Sequence, residues 1–269
     1  MRRTFTFILF ILFVFSCSKV PLTGRQQITW IPSSELLQLS FQSYSQVMGE
    51  SRLSDNREQT RMVKSVGENI KVAVEEYMKS INMGNALNNY EWEFNLLADD
   101  VINAWAMPGG KVAFYEGIMP ICRDENGVAV VMGHEIAHAI AEHGNERLTH
   151  GLIQQGLGTA LNVALRNEPQ QTQQLAMAAY GVGSTVFGVL PFSRLHESEA
   201  DQLGLIFMAM AGYDPQEAPA FWTRMSEASE GGQPPKFLST HPPHEERISK
   251  LNEWMADAME YYDQNRGRK

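Results

Sequence analysis

Cysteine is almost missing from this chain: Cys17 and Cys122 are the only two in 269 residues. A disulfide framework is therefore excluded, and stability has to come from burial. Positive charge is also short. Lys and Arg number 22 against 31 Asp and Glu, for a net charge of −9 with no long basic block. That excludes a polyanion-binding face, and with it nucleic acid as a partner. Beyond Phe15 no apolar run is long enough to cross a bilayer, and no internal repeat marks a solenoid or a second domain. What remains is globular in composition, 43% hydrophobic and 20% charged, and long enough for one domain with a substantial core.

The N-terminus is built differently. Two arginines precede an apolar stretch from Phe5 to Phe15, followed by Ser16 and Cys17. This is the layout of a secretory signal. The stretch "VFSC" resembles a bacterial lipobox, which implies that Cys17 is lipidated and becomes the first mature residue. The expected organisation is a signal peptide over 1–16, a lipidated extended tether over 17–32 and one domain over 33–269. An uncleaved membrane anchor is the other reading; both put the domain outside the cytoplasm. Ser18 after the cysteine matches outer-membrane sorting in enteric lipoproteins. With Cys17 acylated, Cys122 is left as a small buried apolar residue.

Periodicity predicts mostly helices. Residues 33–49 start at a Ser-Ser cap and carry Leu36, Leu37, Leu39 and Phe41 on a broad apolar face; 57–79 repeat Val63, Val66, Ile70, Val74 and Tyr77 at helical spacing. "EWEFNLL" alternates Trp92, Phe94 and Leu96 with polar neighbours and reads as a strand. In "NAWAMPGGKVAFYEG", Pro108-Gly109-Gly110 turns between two short extended pieces. Further helices are expected over 125–143, 146–166, 171–189, 194–211, 215–229 and 243–262. A small antiparallel or mixed sheet beside many helices makes the fold class α+β.

One helix carries an anomaly. "VAVVMGHEIAHAIAEHG" sets His134, Glu135 and His138 in an apolar run. Four residues apart, the two histidines share a helix face and can both direct a ring nitrogen at one Zn²⁺ about 2.0–2.1 Å away. Glu135 stands about 100° round the helix, beside the metal, where it can take a proton from a water activated there. The metzincin extension is excluded, because Ala141 and Gly144 stand where glycine and histidine are required. His143 and His150, five and twelve residues on, are expected to point away. A third ligand is available in "RLHESEADQLG": Glu197 and Asp201 lie one turn apart, so that Glu197 can bind the metal while Asp201 supports a hydrogen bond behind it. Gly204 permits close approach of another helix. Glu199 points about 160° from Asp201 and reads as a solvated or capping residue. His196 reads as structural, with a role near the metal left open.

Together "HEIAH", "ESEAD", "NAWAMPGG" and "STHPPHEERI" resemble the gluzincin metallopeptidases. These include the CaaX prenyl endopeptidase, the mitochondrial stress-activated inner-membrane protease and the bacterial β-barrel assembly-enhancing protease. The resemblance spans about residues 20–252. It implies a zinc endopeptidase with His134, His138 and Glu197 as ligands, Glu135 as base, Asp201 in support, His241 near the metal and "NAWAMPGG" as the active-site strand. Asn103, Ala104, Ala106 and Gly109 would line that strand, the alanines letting an extended substrate come close. The many membrane spans of the prenyl enzyme and the helical repeats of the assembly-enhancing protease have no counterpart here, so short lipidated members are the nearer comparison.

The implied partners are unfolded or misassembled envelope proteins, the membrane through the lipid anchor and the envelope assembly machinery. The implied location is the bacterial cell envelope, at the outer membrane facing the periplasm. The rival is a noncatalytic zinc-binding lipoprotein, a chaperone or assembly factor, against which Glu135 argues because a structural zinc needs no base. His241 precedes two prolines that hold the backbone extended. It can cap the metal as an inhibitory ligand, act with His196 as an oxyanion donor, or bond only to backbone. The region 145–192 is either a lid or lipid-facing cover, or plain core.

Overall fold

A computed structural model describes residues 17–166, 170, 193–229, 234–242 and 246–268. In chain order the elements are β1 (Cys17–Lys19), β2 (Gln26–Ile28), α1 (Ser33–Glu50), α2 (Arg57–Ser80), β3 (Glu93–Leu97), β4 (Ala104–Met107), β5 (Lys111–Tyr115), α3 (Met119–Cys122), α4 (Glu125–Ile140), α5 (His143–Leu165), α6 (Arg194–Met210), α7 (Glu217–Glu227), α8 (Lys236–Thr240) and α9 (Arg247–Asn265). The α+β expectation holds, and the helix over 171–189 falls outside the described residues.

The centre of the molecule is α4. Asp124 caps it by accepting from the amides of Asn126 and Gly127, and every residue from Gly127 to Ile140 is buried. A helix that is apolar all round has to be enclosed by others. Here α6 covers one side most extensively, with α2, α7 and β4 around the rest and α9 behind α6. The α4–α6 crossing is close because both helices present glycine there. A Cβ on Gly133 would stand 2.7 Å from the Gly204 carbonyl oxygen, and one on Gly204 would stand 2.8 Å from the His134 amide nitrogen. That separation brings the face of Glu197 and Asp201 onto the face of His134.

Beside α4 lies a three-stranded sheet of order β3-β5-β4. β3 runs parallel to β5, and β4 runs antiparallel to it with Ala104 opposite Phe114 and Ala106 opposite Val112. β4 is thus an edge strand against the central helix. Gly109 and Gly110, at φ 89° and 85°, make the turn after it. A Cβ on Gly109 would meet the Phe41 ring at 2.5 Å. Gly109 therefore belongs to the packing of the turn on α1 rather than to the strand.

The tether expected over 17–32 is not an isolated extended arm. β1 and β2 pair as a hairpin, Cys17 opposite Ile28. Val20 and Gln27 are buried, and the Gln27 side chain donates to the Ala141 carbonyl at 2.9 Å. The segment is read as a tether from its polar, irregular composition, and composition does not register that buried carboxylates await it on the domain.

Candidate metal centre

Four side chains from three segments converge. One ligand atom each from His134, His138, Glu197 and His241 can be chosen such that all lie within 4.8 Å of one another, and all four residues are buried. His134 and His138 are set by one helical turn of α4, with their Nε2 atoms 3.1 Å apart. Glu197 is set by α6, whose first turn is capped by Ser193 through the His196 amide. Its Oε1 is 3.3 Å from His138 Nε2, and its Oε2 is 3.5 Å from His134 Nε2. His241 follows α8 and places Nδ1 3.0 Å from Glu197 Oε1 and 3.2 Å from His134 Nε2. Its other nitrogen, Nε2, is 3.3 Å from Glu135 Oε1.

Glu135, next round α4, is buried beside the four donors, with the Ala106 amide of β4 at its carboxylate. Its Oε1 and Oε2 of Glu197 accept no well-formed hydrogen bond. Two buried carboxylate oxygens so placed, among three imidazoles, fit a divalent cation of the zinc type, which takes nitrogen and carboxylate donors in a compact shell.

The supports behind the donors differ for the two α4 histidines. His134 Nδ1 is 2.9 Å from Asp201 Oδ1, and Asp201 in turn accepts from Arg247 Nη2 at 2.7 Å. Arg247 also lies 3.2 Å from Glu197 Oε2, with its guanidinium 3.2 Å from the centre of the Trp222 ring. His138 Nδ1 meets His143 Nδ1 at 3.0 Å. His143 was expected to point away on a helix running to 143. Instead α4 ends at Ile140, and Glu142 at φ 55° reverses the chain, bringing His143 back.

Burial alone would lower His134, but Asp201 and Glu197 raise it to about 9. Burial would raise Glu197, yet the adjoining imidazoles of His134, His138 and His241 hold it well below the usual carboxylate range. Glu135 is pushed up by burial, as suits a base working nearer neutral pH. Burial pushes His138 well below its ordinary value.

His196 is outside the four-donor group: its Nε2 bonds Glu146 Oε2 at 2.9 Å and its ring stacks on His143. Glu199, which reads from sequence as a solvated or capping residue, is only 3% exposed. It does face away from Asp201, but the N-terminal hairpin and α5 cover that side. Asn103 and Ala104 are buried at the start of the edge strand, and Ala106 is half-buried. Sequence reasoning missed Arg247, though it lies inside the quoted stretch "HEERI".

A model of peptidase family M48 matches residues 65–255. The mitochondrial metalloendopeptidase OMA1 of Schizosaccharomyces pombe is 32% identical over 245 residues, covering 89% of this chain and 67% of the relative. Human OMA1 is 28% identical over 260 residues, 94% of this chain and 48% of the relative. The β-barrel assembly-enhancing protease of Escherichia coli O157:H7 is 25% identical over 253 residues, 88% of this chain and 47% of the relative.

Proposed function

Since the chain belongs to peptidase family M48 and is a zinc metalloendopeptidase, we propose that it cuts unfolded or misassembled proteins of a bacterial envelope. In this reading His134, His138 and Glu197 hold the zinc, Glu135 is the base and Asp201, backed by Arg247, orients His134. The observation that carries it is the convergence of three imidazoles and a carboxylate within 4.8 Å, from segments up to 107 residues apart, with Glu135 alongside.

When bound, zinc supplies Lewis acidity, which lowers the pKa of a water and polarises a carbonyl. The protein's residues do the rest. An extended substrate segment adds to β4, where Ala104 and Ala106 leave room, and its scissile carbonyl comes over the donors. Glu135 takes the water proton and later passes it to the leaving amine; its raised pKa suits both transfers. His241 places Nδ1 among the donors and Nε2 against Glu135, so its ring stands between the metal donors and the base, where a water would have to sit. It thereby serves as an inhibitory fourth ligand that substrate binding displaces. His196 is a structural partner of Glu146.

The envelope location rests on the signal-like residues 1–16 and the lipobox-like Cys17, with the assembly-enhancing protease as a bacterial relative. Attachment through a lipid on Cys17 follows from the lipobox-like stretch alone; no helix among the described residues is long and apolar enough to cross a membrane. Quality control of outer-membrane proteins in contact with the assembly machinery is the matching role. Unfolded casein added to the full chain, and to its His241→Ala variant, should be cleaved; a chelator should stop cleavage and zinc restore it. If neither zinc-loaded protein cuts unfolded substrate, the noncatalytic chaperone reading takes over.

A further inference from the structure

The matched family region begins at residue 65, yet the residues behind zinc ligand His138 reach back to residue 23. Arg25, in the hairpin between β1 and β2, forks between two buried carboxylates. Its Nε lies 2.9 and 3.1 Å from the Glu199 oxygens, and its Nη2 3.0 Å from Glu199 Oε2. Its Nη1 and Nη2 reach the Glu146 oxygens at 2.9 and 2.8 Å. Thr23 Oγ1 donates to Glu199 Oε1 at 2.8 Å. Glu199 Oε2 faces His143 Nε2 at 3.1 Å, and His143 Nδ1 faces His138 Nδ1 at 3.0 Å.

Proton counting gives this chain a direction. A His138 that offers its Nε2 lone pair to a metal carries its proton on Nδ1. That proton is donated to His143 Nδ1, which leaves the His143 proton on Nε2, donated to Glu199. Every N–H then has an acceptor, and Glu199 keeps its negative charge against Arg25. The companion ligand His134 has the same support one residue shorter, Asp201 backed by Arg247. Each histidine therefore has a carboxylate behind it and an arginine behind the carboxylate. For His138 the arginine comes from the N-terminal hairpin.

We propose that Arg25 and Glu199 are positioning residues for His138, acting through His143, and that seating of the N-terminal hairpin completes the zinc centre. The proposal rests on the zinc-ligand reading above. A carboxylate behind a metal-bound imidazole fixes ring orientation and tautomer and strengthens the ligand, and losing it costs roughly 10- to 100-fold in metal affinity. The hairpin starts at the proposed lipidation site, so the segment beside the anchor is also a part of the catalytic apparatus.

The zinc dissociation constant of the full chain in detergent, measured by chelator competition, tests this for wild type, His138→Ala, Arg25→Gln, Arg25→Lys and Glu199→Gln. His138→Ala should weaken binding more than any of the other variants. Arg25→Gln and Glu199→Gln should weaken it by at least roughly tenfold, and Arg25→Lys, which keeps the charge without the fork, should recover part of the loss. The visible absorption of the cobalt(II)-loaded Arg25→Gln protein should shift from wild type, which a hairpin of purely structural value would not cause. Wild-type affinity and an unshifted spectrum in both glutamine variants would overturn the proposal while leaving the zinc site intact. Should Arg25→Gln fail to fold, Arg25→Lys decides: an affinity within twofold of wild type overturns it. An affinity of His138→Ala unchanged from wild type would instead remove the ligand reading beneath it.

Discussion

His241 carries the sharpest consequence at the level of single side chains. Its ring joins both halves of the centre, one nitrogen among the metal donors and the other on the base. Replacing it with alanine should leave zinc bound through the remaining three ligands and raise basal cleavage of unfolded protein severalfold. Retained metal with lost activity would make His241 a donor to the transition state instead of a restraint. The site residues that spacing alone could suggest were those within one helix, His134 with His138 and Glu197 with Asp201, whereas His241 came only from the family resemblance. Those missed are set by partners far along the chain. Arg25 meets Glu199 across 174 positions and Arg247 meets His134 across 113, and no local period records what will be packed opposite. Glu199 was misread for that reason.

Among elements, the α4–α6 crossing decides whether the site can assemble. At Gly204→Ala the new Cβ would press on helix backbone, which cannot yield as a flexible side chain does, so the helices must part. We expect a loss of about 2 kcal/mol or more and weaker zinc binding, because Glu197 rides on α6. Gly156→Ala on α5 is the control: a Cβ there has nothing within 4 Å, so stability should rise by about 0.5–1 kcal/mol. Chemical denaturation with zinc titration of both variants checks the pair, and equal effects would mean the crossing is not the limiting contact. The position of α2 was legible because it buries a regular stripe, Val63, Val66, Ile70, Val74 and Tyr77. The break at Ala141–Glu142 was not, since Glu142 adopts the left-handed region without a glycine to announce it. The outward residues of α5, Leu148, Leu152, Leu157 and Val163, are exposed among the described residues.

For the whole molecule, the N-terminal hairpin links folding to acid sensitivity. Burial would raise Glu146, but Arg25 and His196 hold it down to about 2. A carboxyl depressed in the folded state stabilises fully above its ordinary value of 4.5, and that contribution disappears as pH falls through about 2. Glu146→Gln should therefore melt below wild type at pH 7, with the gap closing between pH 4.5 and 2; a gap independent of pH would contradict the assignment. Cys17→Ser should abolish lipid labelling and leave either a soluble mature-length protein or an unprocessed precursor. Continued acylation of that variant would exclude the anchor. The α+β class was readable from periodicity, whereas the hairpin was not: its polar residues look solvated until the carboxylates of α5 and α6 are placed against them.

The central claim is that Glu135 is the base of a zinc site it does not itself hold. Its most direct test is zinc content and casein turnover measured on one preparation of Glu135→Gln, which preserves shape but cannot accept the proton. Zinc should remain at the wild-type ratio while turnover falls by about 10²-fold or more. Wild-type turnover in the zinc-loaded variant, or loss of zinc along with activity, would contradict the account.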